Sequence, residues 1–97
     1  MQFLYKERYL KRFDRFPTHE QRLILEADRH IRTFYTTRQA PHGLRVKLLY
    51  AAAGTEKIFE ARASQAIRIV WAERGNMVSF VLVGLHNEVR NSLRSLR

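Results

Sequence analysis

The stretch IRIVWAERGNMVSFVLV, Ile67 to Val83, decides the fold. Ile67, Ile69 and Trp71 recur at every second position, the period of a strand with one apolar face, and Arg68 stands opposite them. Gly75 and Asn76 then separate this run from a second apolar run, Met77 to Val83, as a tight hairpin connection requires. Upstream lie a strand-like run from Lys57 to Ala63, the small residues Ala51 to Thr55 as a link, and Leu44, Val46, Leu48 and Tyr50 alternating with Arg45 and Lys47. Downstream, Val89, Leu93 and Leu96 fall at helical spacing among arginines, which predicts a short terminal helix.

The break from Gln39 to Gly43, with Pro41 and Gly43, marks a change of period. Before it the pattern is helical. Tyr9, Leu10, Phe13 and Phe16 form one apolar stripe, with Lys11, Arg12, Asp14 and Arg15 on the other side. Pro17 ends that segment. Thr18 with Gln21 three positions on reads as a capping box for a second helix, whose stripe is Leu23, Ile24, Ala27, Ile31, Phe34 and Tyr35, supported by Asp28 four residues before Arg32. The two make a helical hairpin, and Gln2 to Tyr5 ahead of them reads as a short strand of open pairing. No repeat or linker divides residues 1–97, so the expectation is one α+β domain: two N-terminal helices on one face of a mainly antiparallel sheet of about four strands, and a short C-terminal helix.

Composition narrows the chemistry. The 97 residues are 45% hydrophobic and 28% charged, the balance of a globular chain. Eighteen Lys and Arg against nine Asp and Glu give a net charge of +9, which directs attention to a polyanionic partner. Fourteen of the cations are arginine, whose rigid fork matches phosphate oxygens. The absence of cysteine excludes disulfide scaffolds, thiolate metal sites and cysteine nucleophiles, and fits a reducing cytoplasm. No apolar run approaches the length of a membrane span and the amino terminus lacks a signal-peptide pattern, so no membrane partner is expected. His19, His30, His42 and His86 have no zinc-ligand spacing, and neither a phosphate-cradling glycine loop, a dinucleotide fingerprint nor a nucleophilic serine motif is present; no metal and no cofactor are expected.

Alternation places Arg45 and Lys47 on one face of the first long strand and Glu60 and Arg62 on one face of the next. With helices on the apolar side, these residues and Arg68 would form an exposed cation-rich surface with one carboxylate inside it, suited to a phosphodiester chain. His86, between the last strand and the terminal helix, is placed to reach over the sheet edge, and histidine is the residue type for proton transfer near neutral pH. Among the aromatics, Tyr50 is the best placed to stack on an unpaired base, since Tyr35, Phe59 and Trp71 sit in core-like runs.

Three strings, GLRVKLL at Gly43 to Leu49, IFEARASQAIRIVW at Ile58 to Trp71 and FVLVGLHNEVRNSL at Phe80 to Leu93, resemble the RelE/ParE toxin superfamily over nearly the full chain. The resemblance implies two N-terminal helices against a twisted antiparallel sheet and a cognate antitoxin protein as partner. In RelE-like members a basic cleft cuts mRNA on the ribosome, whereas ParE-like members inhibit DNA gyrase. It further implies that Arg62 and Arg68 contact phosphate and that His86 sits at a catalytic position, with Glu88 and Val89 continuing that motif. Arg90 stands where many nuclease members carry tyrosine, and Glu60 where some carry lysine. For metal-independent cleavage we assign Glu60 as general base, His86 as general acid, Arg62 and Arg68 to the phosphorane charge, and Arg90 to phosphate or leaving group, with Arg45, Lys47, Lys57 and Tyr50 binding RNA.

Overall fold

The computed structural model describes residues 1–39, 42–51 and 56–95. Strand β1 (Gln2–Tyr5) leads into helices α1 (Glu7–Asp14) and α2 (Thr18–Thr37); a 3-10 turn at His42–Leu44 precedes strands β2 (Lys47–Ala51), β3 (Glu56–Arg62), β4 (Ile67–Arg74) and β5 (Met77–Leu85), and α3 (His86–Ser95) closes the order. The sheet order is β1-β5-β4-β3-β2. All neighbours are antiparallel except β1, which runs parallel to β5 with Gln2 opposite Met77 and Tyr5 opposite Phe80. The β4–β5 hairpin is the one read from the sequence: Arg74 pairs with Met77, and Gly75, first of the two turn residues, has φ +57°, as a type II′ turn demands.

One sheet face packs under α1 and α2. Trp71 and Phe80 are fully buried at its centre; Phe59 stacks on Trp71 with ring centroids 5.6 Å apart, and Tyr5 stacks on Phe80 at 4.7 Å. Ile24, Ala27 and Ile31, at i, i+3 and i+7 on α2, supply the other wall. Each large aliphatic or phenyl side chain among these, taken from water, contributes about 1.5–3 kcal/mol. Two polar pairs lie here: Trp71 Nε1 donates to Tyr35 Oη at 2.7 Å, and Tyr5 Oη donates to the Asp28 carboxylate at 2.7 Å, whereas the buried Tyr9 hydroxyl has no hydrogen-bond partner among the described residues. Burial raises the Asp28 pKa above the ordinary carboxylate value, opposed by the Tyr5 hydrogen bond and by Arg32.

The structure corrects several expectations. The sheet has five strands rather than about four, because Phe3 and Tyr5 alternate inward and pack on Phe80, which draws β1 onto the free edge of β5. Helices cover both faces, not one: Val89 of α3 is 2% exposed and packs with Val70 and Leu82 on the face away from α1 and α2. Thr18 is the first residue of α2 rather than its N-cap; Pro17 holds that position without a side-chain cap, and Gln21 Nε2 donates to the Phe13 carbonyl at 3.1 Å. Arg45 lies before β2 with a left-handed φ of 49°, so it does not share a strand face with Lys47. A register shift at Leu49 turns Tyr50 away from Leu48: Leu48 pairs with Phe59, whereas Tyr50 pairs with Ile58 on the face of Lys47. Leu96 and most of the Ala51 to Thr55 link lie outside the described residues, as do Ala40 and Pro41 of the break before β2.

Candidate functional site

Register arranges the sheet face away from α1 and α2 into rows. Arg62 of β3 is directly opposite Arg68 of β4, which is directly opposite Gly84 of β5. The adjacent row is Lys47, Glu60, Val70 and Leu82, and the next is Tyr50, Ile58, Ala72 and Ser79. Arg62, Arg68, Glu60, Lys47 and Tyr50 therefore share a face. Lys57 does not join them, because it pairs with Glu73 on the side of Phe59 and Trp71. Arg45, exposed ahead of β2, is outside the rows.

Arg68 departs most from its expected role. It is 6% exposed rather than part of an open surface. Its Nη1 donates to the carbonyls of Gln65 at 2.7 Å and Ser64 at 3.2 Å in the β3–β4 turn, with a longer contact to Ile67, and its Nε lies 3.8 Å from Glu60 Oε1. Desolvation lowers the Arg68 pKa, as does the neighbouring Arg62 charge, while Glu60 acts in the opposite sense. Like charges directly opposite on a sheet repel. One carboxylate faces two guanidinium groups, so the pair retains an excess of positive charge that an incoming anion would neutralise.

The β3–β4 turn joins this row to α3. The His86 backbone N–H donates to the Ala66 carbonyl at 3.0 Å, beside the carbonyls that hold Arg68. His86 and Arg90 are exposed and one helical turn apart, so they share a flank of α3. Glu88 and Val89 face elsewhere: Val89 is core, and the Glu88 carboxylate accepts from Arg12 Nε at 2.9 Å and Nη2 at 2.7 Å. From the sequence Arg12 reads only as part of the polar side of α1; its partner is 76 residues away and no local pattern marks the contact.

Beyond the rows, an open groove of about 1020 Å³ is bounded by Leu4, Tyr50, Ile58, Ala72, Ser79 and Leu93. Its floor is the third row, so the charged and apolar halves of this face are continuous. Among the described residues no group of His, Cys, Asp or Glu is disposed to hold a metal ion, and no helix is long and apolar enough to cross a membrane.

No protein-family model matches this sequence, and no curated protein does. Solved structures do. The RelE–RelB complex from Pyrococcus horikoshii OT3 matches with a TM-score of 0.69 at 14% identity, covering 87% of this chain and 92% of that one. The E. coli DinJ–YafQ toxin-antitoxin complex matches with a TM-score of 0.64 at 13% identity over 91% of this chain and 94% of the other. A YoeB/ParE toxin from Agrobacterium tumefaciens gives 0.64 at 15% identity over 89% and 99%. The chain has the fold of the RelE/ParE toxin superfamily.

Proposed function

We propose that this chain is the toxin of a type II toxin-antitoxin module and acts as a metal-independent, ribosome-dependent mRNA endoribonuclease. The observation that carries the reading is the cross-strand pairing of Arg62 with Arg68 beside a single carboxylate, Glu60, at the end of the sheet where α3 begins with His86. In such a cleavage the ribose 2′-hydroxyl attacks the adjacent phosphate and the leaving 5′-oxygen takes a proton. Glu60 is assigned to accept the hydroxyl proton, His86 to supply the proton to the leaving oxygen, and Arg90, on the flank of His86, to contact phosphate. Negative charge gathers on the non-bridging oxygens, where preorganised donors are worth about 3–4 kcal/mol each.

The burial of Arg68 divides the work between the arginines. Arg62 is the more accessible and makes the phosphate contact, while Arg68 holds the turn and Glu60 and adds positive potential from beneath. Lys47 and exposed Tyr50 extend the binding face along β2 toward the next nucleotides. Arg45 and Lys57 lie off this track, so any contact they make with RNA lies outside the cleft.

A cognate antitoxin is the second partner. The net charge of +9 favours an acidic partner, and the groove along Tyr50, Ile58 and Leu93 favours one with an apolar stripe. The structural neighbours crystallised as RelE–RelB and DinJ–YafQ support this choice.

The test is cleavage of mRNA on translating ribosomes by wild type, Arg62→Ala and His86→Ala, with folding measured separately. Loss of cutting in both folded variants is the expected result; equal cutting by all three removes the assigned site. Two observations favour a second reading, inhibition of DNA gyrase: Arg68 Nη1 already donates to carbonyls of the β3–β4 turn, and Arg90 stands where many nuclease members carry tyrosine. Induction that damages DNA while messages stay intact selects that reading.

A further inference from the structure

We propose that Arg12 and Glu88 are positioning residues that set the roll of α3 and thereby place His86 and Arg90; the proposal rests on the assignment of those two residues to the site. α3 starts at His86, directly after the last residue of β5, and a ten-residue helix has little stability of its own, so its orientation depends on what grips it. Underneath, the grip is apolar: Val89 and Leu93 rest against Val70 and Leu82. Hydrophobic contact is non-directional, so together with the His86 backbone bond to Ala66 at its first residue it sets the roll of the helix only coarsely.

A bidentate fork is directional. Arg12 Nε and Nη2 meet the two Glu88 oxygens at 2.9 and 2.7 Å, and one turn along Arg8 Nη2 donates to Ser92 Oγ at 2.7 Å. Residues 8 and 12 meet 92 and 88 in reverse order, so α1 and α3 run antiparallel along this seam. Both ends of the fork are fixed. The Arg12 guanidinium lies 4.2 Å over the ring of Phe16, which is 6% exposed, and Glu88 sits at the third position of α3, in its first turn. Gly84 lies beneath the fork: a Cβ there would come within 3.4 Å of Glu88 Oε2, at the edge of ordinary contact.

At about 100° per residue, Glu88 and Ser92 fall on one side of the Val89–Leu93 stripe, and His86 and Arg90 on the other. Locking one flank fixes the angle of the opposite one. A displacement of about 1 Å at reacting groups costs on the order of 10²-fold in rate, so a partly exposed ion pair with little effect on folding has a large effect on chemistry.

The experiment compares wild type with Glu88→Gln, Arg12→Gln and the exchanged pair R12E/E88R, reading ribosome-dependent cutting together with the NMR resonances of the His86 ring. Each single variant is expected to stay folded, to shift the His86 ring resonances and to lower kcat about ten- to a hundredfold with a smaller change in KM, and the exchanged pair is expected to recover part of both. Folded single variants with wild-type kcat and an unmoved His86 ring overturn the proposal, as does a fall in kcat with the ring unmoved. A wild type that cuts no mRNA overturns the nuclease reading instead, and the ring resonances of the single variants then decide for or against the clamp by themselves. If Arg12→Gln loses its fold, Glu88→Gln alone carries the decision.

Discussion

The two faces of the sheet are built differently. The face under α1 and α2 is closed by stacked aromatics and α2 aliphatics, with Trp71, Phe80, Ile67 and Ile69 essentially without solvent contact. The opposite face is only partly roofed: α3 covers Val70 and Leu82, while Lys47, Arg62 and Tyr50 stay accessible and Arg68 sinks against a turn. One face spends its residues on cohesion. The other tolerates apposed like charges, which weaken a fold.

This contrast is breakable by mutation. Phe80→Ala, which empties the centre of the closed face, is expected to cost about 3–5 kcal/mol in denaturant unfolding; a loss comparable to a surface substitution would show that the closed face is not the source of stability. Arg62→Ala on the open face is expected to change stability by less than about 0.5 kcal/mol, yet to slow ribosome-dependent cutting about 10²–10³-fold. Arg68→Ala lies between: the turn carbonyls lose their donor and Glu60 loses its partner, so unfolding measurements are expected to show a loss of about 1–3 kcal/mol.

The smallest effects are those of pH, and their signs distinguish the two faces. Asp28, on the closed face, has a folded pKa raised by burial. Its stabilising contribution is complete below the ordinary Asp value and is lost as pH rises through the raised folded value. Asp28→Asn, which keeps an acceptor for Tyr5, is therefore expected to gain on wild type at neutral pH and to lose that advantage in acid, by denaturant midpoints. Glu88 has the opposite sign: its pKa is held down mainly by the Arg12 hydrogen bond. Its contribution is present above the ordinary Glu value and disappears as pH falls through the lowered folded value, so amide protection in α3, taken relative to the intrinsic exchange rate at each pH, should fall over that acidic window in wild type and be flat there in Glu88→Gln.

Much of this architecture was legible in advance. The Gly75–Asn76 turn, the alternation in β4 and the stripe of α2 each follow from local periodicity, which needs no knowledge of distant partners. Where prediction failed, the missing information was register or docking. The extra residue at Leu49 flips Tyr50 to the Lys47 face, and nothing in a strand-like run marks such an insertion. The roof over Val70 and Leu82 did leave a trace: IRIVW and MVSFVLV are apolar on both faces, as in strands buried on both sides. Arg68 lies within that doubly apolar run, and its burial follows from the same trace. The Arg12–Glu88 clamp left none, because a contact between distant helices has no period.

The sheet order has a consequence for synthesis. Its first strand lies against its last, so β1 leaves the translation machinery without a neighbour and waits until Met77–Leu85 has been made. Partners so far apart along the sequence give slow closure. A nascent chain that stops short of β5 has Phe3 and Tyr5 with no Phe80 to receive them, and it also lacks Gly84 and His86; premature termination therefore removes the finished core and the proposed site's end of the sheet in one stroke.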